Sequence, residues 1–228
     1  MPAQNPLFPA FLKLENLRVL LVGGGNVGLE KLTAILRNSP ETAVTIVSIT
    51  FLPELREVAS RHPRIRLVAR GWLATDLDEA DIVFAATDDP ALHRRIVVAA
   101  HQHRLLVNVA DTPPLCDFYL SSVVVKGQLK VAVSTNGKSP TVGKRLRAVL
   151  EETLPEELDE VLEQMTVIRN RLAGDFATKV KSLNAVTAEL AGGKAYESPT
   201  TKRWRRVATG SLLAIGTMVV ARLFRRPE

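Results

Sequence analysis

The sequence predicts an α/β protein built on a parallel sheet, and three observations predict it. Apolar runs of strand length alternate with helix-compatible stretches from Arg18 to Val109, at intervals short enough for right-handed crossovers. The runs, among them Val19–Val22 (VLLV) and Ala43–Ile49 (AVTIVSI), are continuous rather than alternating, as strands covered on both faces are. The first run ends in three glycines spaced Gly23-x-Gly25-x-x-Gly28, which reads as strand, tight turn and helix.

Within RVLLVGGGNVGLE (Arg18–Glu30), Gly23 makes the turn and Gly25 leaves room for a ligand against the backbone. Gly28 lets the helix from Val27 to Leu36 lie close on the strand. The free N–H groups and positive dipole end of that helix suit a pyrophosphate, so the motif predicts a Rossmann-type dinucleotide site. The second strand, Ala43–Ile49, ends in Ser48-Ile49-Thr50 with no carboxylate before Glu54, and so does not separate NAD from NADP. A short helix from Pro53 to Ser60, a third strand over Ile65–Ala69 and a fourth over Asp81–Ala86 follow. Thr87-Asp88-Asp89-Pro90 then leads into a helix over Ala91–His103. Its acids either cap that helix or border the cofactor at the carboxyl end of the sheet. A fifth strand, Leu105–Val109, closes in Asn108-Val109-Ala110-Asp111-Thr112-Pro113.

After residue 113 the pattern changes. Phe118–Val125 and Leu129–Ser134 read as a hairpin turning at Lys126-Gly127-Gln128. Thr135-Asn136-Gly137-Lys138-Ser139-Pro140 follows, with Ser139 a good helix N-cap and Pro140 a good first residue. Leu158 to Leu190 reads as two amphipathic helices parted near Gly174-Asp175, the first presenting Leu158, Val161, Leu162, Met165 and Ile168 on one face. This helical pair serves either as a dimerisation element or as a fold-back on its own chain. Residues 191–202 have linker composition.

The net charge of +6 is that of the tail, because residues from 200 onward carry seven bases against the single acid Glu228. The rest is balanced, which argues against nucleic acid and for a membrane surface as the tail's partner. Val207–Ala221 is uncharged, between Arg203-Trp204-Arg205-Arg206 and Arg222-Leu223-Phe224-Arg225-Arg226. Extended to Phe224 it is 18 residues, about 27 Å of helix, at the short end of what spans a bilayer. An apolar helix buried in a dimer is the competing reading. Residues 126–147 hold six bases and no acid, and 151–163 seven acids and no base. These blocks are solvated faces, or the basic one is a host for a polyanion around Lys138. One cysteine, Cys116, excludes an internal disulfide and a cysteine metal cluster. His62, His93, His101 and His103 show no metal-ligand pattern, and none is assigned a catalytic role. The N-terminus MPAQNPLFPAFLKL lacks a basic region and a long apolar core, so no signal peptide is expected and a cytoplasmic location is.

Five stretches in order, PLFPAFLKL, VLLVGGGNVGLEK, AATDDP, NVADTP and VAVSTNGKSP, resemble the precorrin-2 dehydrogenase and sirohydrochlorin ferrochelatase family, the N-terminal part of bacterial siroheme synthases. The resemblance spans roughly residues 6–190. It implies NAD-dependent oxidation of precorrin-2 to sirohydrochlorin, followed by insertion of Fe2+ as a substrate, in a homodimer. It implies a Rossmann domain over 1–113, a dimerisation and substrate-loop region over 114–150, and a helical domain over 151–190, with the tail at 203–228 outside it. The family's catalytic aspartate matches Asp111. Its cofactor contacts match Asn26, Val27, Ile49 and Thr50, beside Gly23, Gly25, Gly28 and Thr87. The substrate loop matches Thr135, Asn136, Gly137, Lys138 and Ser139. Thr135 stands where relatives carry a serine that is sometimes phosphorylated. The methyltransferase module of fused siroheme synthases is not expected in 228 residues. A non-catalytic dinucleotide-sensing module is the alternative, but it would need neither a base nor a polyanion cradle.

Overall fold

A computed structural model describes residues 5–155, 158–171 and 176–186. The linker and the tail over 203–228 lie outside the described residues. The chain divides into two units, Met1–Val125 with Lys130–Leu154, and Lys126–Leu129 with Pro155–Glu228.

In the first unit, five parallel strands stand in the order β3-β2-β1-β4-β5. They are β1 (Arg18–Val22), β2 (Ala43–Ser48), β3 (Ile65–Ala69), β4 (Ile82–Ala85) and β5 (Leu106–Val109). β1 lies at the centre, with Val19 opposite both Val44 and Ile82. Because side chains alternate along a strand, Val19 and Leu21 point to one face and Leu20 and Val22 to the other. Both faces are covered, which is why the run is apolar throughout. On one face Val19, Leu21, Val44, Ile46, Ile82 and Phe84 pack with Leu32 and Ile35 of α1 (Asn26–Asn38) and Leu55 of α2 (Pro53–Arg61). On the other, Leu20, Val22, Val47, Val83 and Val107 pack with Ile96, Val97 and Ala100 of α3 (Pro90–Gln102).

No α-helix covers the β3–β4 crossover. A single 3-10 turn, Ala74–Leu77, does so, plugged by Leu77 at 1% exposure and braced by Arg70 on Asp76. At the amino edge, Arg18 clamps Asp81 through its backbone N–H (2.7 Å), Nε (3.0 Å) and a second guanidinium nitrogen (2.8 Å).

The hairpin strands are β6 (Ser122–Lys126) and β7 (Leu129–Val133). The first begins four residues later than the sequence predicts. Phe118 belongs to the Rossmann core instead. Its ring stands edge-on to Phe84, with centroids 5.4 Å apart, and its carbonyl accepts from Asn108 Nδ2 at 2.8 Å. α4 (Pro140–Thr153) starts where expected, Ser139 Oγ accepting the Val142 N–H at 3.2 Å. Lys130 of β7 donates to the Asn38 carbonyl at the end of α1, and Arg37 faces Glu151 of α4 at 3.9 Å. Hairpin and α4 are thus tied to one helix of the Rossmann core.

The second unit contains α5 (Leu158–Arg171) and α6 (Phe176–Val186), the two helices predicted. Gln128 at the hairpin turn donates its N–H to Asp159 Oδ1 at 2.6 Å. No helix among the described residues is long and apolar enough to cross a membrane.

Two predictions test this packing. A Cβ on Gly28 would stand 2.3 Å from the Gly23 carbonyl, whereas one on Gly25 would meet nothing within 4 Å. Gly28→Ala should therefore cost about 1–3 kcal/mol and lower Tm by roughly 3–10 °C. Gly25→Ala should lower it by less than about 2 °C. Equal losses in thermal melts would contradict the packing. The second concerns Asp81, whose carboxyl the Arg18 side chain, then the Arg18 N–H, holds down at about 2. Its folded value lies below its ordinary 3.8, so the contribution is complete above that value and is lost as pH falls toward about 2. The Tm gap between wild type and Asp81→Asn should be constant near neutrality and close over that acid window. A gap independent of pH would refute the assignment.

Candidate functional site

Open α/β sheets expose their ligands at the carboxyl ends of the strands, and the candidate residues gather there. The turn after β1 is made almost wholly of backbone. Gly23 has φ 125°, and a Cβ on it would lie 2.2 Å from the Ala86 carbonyl. A Cβ on Gly24, which the sequence reading passed over, would lie 2.3 Å from the Thr50 carbonyl. The Leu52 N–H donates to Gly24 C=O at 2.9 Å and the Gly23 N–H to Val47 C=O at 3.0 Å. The turn is pinned between the ends of β2 and β4, with α1 against its floor at Gly28.

Gly25 differs from its neighbours, for the space around it is open. It is the N-cap of α1, and no side chain caps that N-terminus. The amide groups of the first turn, around Asn26 and Val27, are left for a ligand, and the dipole favours an anion. A backbone cradle with an uncapped helix end is what a pyrophosphate needs, so the residues fit the dinucleotide that the motif implies. Ile49, just beyond β2, is 77% exposed, and Thr50 beside it is exposed too, as groups flanking a bound ribose would be. Thr87 follows β4, and its Oγ1 accepts the Asp89 N–H at 3.4 Å.

Asp89 is a cap. Its Oδ1 accepts from Ala91 and Leu92 at 2.8 and 3.1 Å, and these bonds, that from Leu92 first, lower its pKa. The capping reading of the TDDP acids holds for Asp89, and Asp88 remains exposed beside it.

Asp111 follows β5. It is exposed, and its carboxylate has no hydrogen-bond or ion-pair partner among the described residues. Its backbone is left-handed, φ 53°, a conformation that Asp and Asn enter more readily than other non-glycine residues. Pro113–Leu115 then make a 3-10 turn. Asn136 (φ 54°) and Gly137 (φ 72°) are left-handed in the loop before α4. Unusual backbone therefore flanks one cavity on both sides.

That cavity, of about 300 Å³, is lined on one side by Asp111, Thr112 and Pro113 and on the other by Ser134, Thr135 and Gly137. Thr135 Oγ1 accepts the Ser139 N–H at 3.2 Å and donates to its carbonyl at 3.1 Å, which closes the loop on itself. Asn136, Lys138 and Ser139 belong to the same loop but do not line the cavity. Lys138 is exposed.

The structure adds residues that sequence reasoning missed. Lys31 of α1 lines the cavity, as do Asn108, Cys116, Ser121 and Ser122. Asn108 is 5% exposed, and its Oδ1 has no partner among the described residues. Burial pushes the Cys116 thiol up, the Val109 N–H and then the Lys31 ammonium opposing it. Nothing in the sequence around Lys31 singles it out from the other exposed-type residues of α1. Of the histidines, His101 pairs through Nε2 with Asp117 at 3.0 Å, and His93 is buried in α3, its Nε2 without a partner among the described residues.

The arrangement offers a dinucleotide cradle, an unpaired carboxylate at the strand edge, and an adjoining hydroxyl-rich cavity. Residues 10–122 match the family described as "Putative NAD(P)-binding", and residues 126–153 match "Sirohaem biosynthesis protein central". The siroheme synthase of Methylococcus capsulatus is 36% identical over 164 residues, 72% of this chain and 34% of that protein. Siroheme synthase 1 of Klebsiella pneumoniae is 32% identical over 231 aligned positions, 91% of this chain and 46% of that protein. The chain thus spans less than half the length of these relatives. Among solved structures, one described as "SirC, precorrin-2 dehydrogenase" shares the fold, with a TM-score of 0.64, 23% identity, and coverage of 79% of this chain and 89% of that one.

Proposed function

The chain belongs to the family of precorrin-2 dehydrogenases and sirohydrochlorin ferrochelatases that forms the N-terminal part of siroheme synthases, and on that premise we propose that it oxidises precorrin-2 to sirohydrochlorin with NAD. Insertion of Fe2+ into the product, with iron as substrate, is part of the same proposal. The observation that carries the reading is the position of Asp111, unpaired, in a cavity at the edge of the sheet that also bears the glycine cradle.

Each group has a role in this reading. The amides of the first turn of α1 hold the pyrophosphate, and Gly25 keeps the approach open. Ile49, Thr50 and Thr87 flank the rest of the dinucleotide. NAD, when bound, supplies the hydride acceptor. Removing two hydrogens from the macrocycle also releases a proton, and Asp111 takes it. Its carboxylate has no partner among the described residues to give up first. Metal insertion displaces the pyrrole protons, and the same carboxylate receives those. Thr135 and Gly137, with Asn136, Lys138 and Ser139 on the same loop, hold the acidic rim of the substrate, with the N-terminus of α4 behind them. Residues 114–150 serve as the dimerisation region, followed by the helical domain of 151–190, in a cytoplasmic enzyme.

The uncharged run Val207–Ala221 between two arginine clusters supports attachment of residues 203–228 to an anionic membrane surface.

Asp111→Asn tests the catalytic role, because Asn tolerates the left-handed backbone and preserves the fold. NAD affinity should be retained, while precorrin-2 turnover falls by roughly 10² to 10⁴. A folded, NAD-binding Asp111→Asn enzyme with wild-type turnover would remove Asp111 from the mechanism. For the tail, cell fractionation should find the full chain with membranes and a chain ending at Tyr196 in the supernatant, still active. A full-length protein wholly in the supernatant refutes attachment.

A further inference from the structure

The cavity beside Asp111 holds one charged group with no part in the proton transfer. Of the residues lining it, Lys31 is the one cation and Asp111 the one acid. They are not paired, and Lys31 has no ion-pair or hydrogen-bond partner among the described residues. Were Lys31 there only to balance the charge of Asp111, the two would be expected to form a salt bridge. Lys31 is half-buried rather than spread into solvent. Its position is set from both ends of α1. Gly28, three residues before it, seats the helix on the glycine turn, and Asn38, seven residues after it, is gripped by Lys130 of β7. α1 is thus held at both ends, with Lys31 between them lining the cavity. Arg37 and Glu151 reinforce the same junction. Lys138, the base that the sequence places near the substrate, is exposed and outside the lining. An ammonium held without a partner in a hydroxyl-lined cavity is a site for a carboxylate.

We propose that Lys31 is the carboxylate anchor of the cavity, pairing with one acidic side chain of the tetrapyrrole and so holding the macrocycle in it. The inference rests on the dehydrogenase reading and assigns a specificity-determining residue to it. Lys31 is a positioning residue, not the base. Its partner is one of the substrate's eight carboxylates, and the remaining rim is left to the Thr135 loop.

The test compares the full-length wild type with Lys31→Gln and Lys31→Arg, each shown to be folded by circular dichroism. Steady-state kinetics with precorrin-2 and NAD are paired with equilibrium dialysis of uroporphyrin, a stable tetrapyrrole octacarboxylate. In Lys31→Gln the KM for precorrin-2 should rise roughly 10- to 100-fold, the range for losing a charge-assisted hydrogen bond. Its kcat should stay within about threefold, because uniform binding is what is lost. The KM for NAD should not move, uroporphyrin affinity should fall by a similar factor, and Lys31→Arg should recover most of both. Unchanged KM and uroporphyrin affinity in folded Lys31→Gln overturn the proposal, and so does a fall in kcat at constant KM. Wild type that binds uroporphyrin through Lys31 but never oxidises precorrin-2 overturns the dehydrogenase reading and leaves the anchor standing. Wild type that binds neither tetrapyrrole overturns the anchor.

Discussion

Everything at the carboxyl edge of the sheet depends on one close backbone contact, that between the first turn of α1 and the turn that follows β1. Gly28 lies against the Gly23 carbonyl, Gly23 against Ala86, and Gly24 against Thr50. Each contact is too short for a Cβ, so a helix, its own strand and the ends of two neighbouring strands are fastened without any intervening side chain. Interiors packed at this density do not relax around an added methyl. The result is a rigid floor with one deliberate opening at Gly25.

The rest of the site is suspended from that floor through α1. Its N-terminus has no side-chain cap, its middle carries Lys31 to the cavity, and the carbonyl of its last residue, Asn38, holds β7 through Lys130. The hairpin and the Thr135 loop are thereby placed opposite Asp111, whose own position is set by β5 and by Phe118 folding back on Phe84 and Asn108. The glycine cradle and the cavity beside Asp111 share one helix, α1, which carries Gly28 at the first and Lys31 at the second. The electrostatics are sparse: one cation, one carboxylate and a ring of hydroxyls, in a chain whose excess charge lies in its tail.

The sheet, its helices and the glycine turn were legible in the sequence, because burial on both faces leaves continuous apolar runs and because a backbone-only turn demands glycine at fixed spacing. Five strands appeared within a residue or two of their predicted limits. Ser139 was recognisable as a cap because capping is local chemistry. What escaped was long-range. Phe118 has β-forming composition, yet its ring is claimed by Phe84, far earlier in the chain, and the strand waits until Ser122. Gly24 looked like filler between two motif glycines until its contact with Thr50 was visible. Lys31 reads as an ordinary surface residue of an amphipathic helix, because nothing local says that a hairpin a hundred residues later covers that face. The left-handed backbone of Asp111 follows from its surroundings and not from any pattern in NVADTP.

The central claim is that cofactor and tetrapyrrole meet over Asp111, and a crystal structure of the chain with NAD and precorrin-2 tests it most directly. The account predicts the pyrophosphate on the amides after Gly25 and the macrocycle in the cavity between Asp111 and Thr135, within reach of both the nicotinamide and the Asp111 carboxylate. A macrocycle bound elsewhere, or seated there with its reacting carbon out of reach of Asp111, would contradict it.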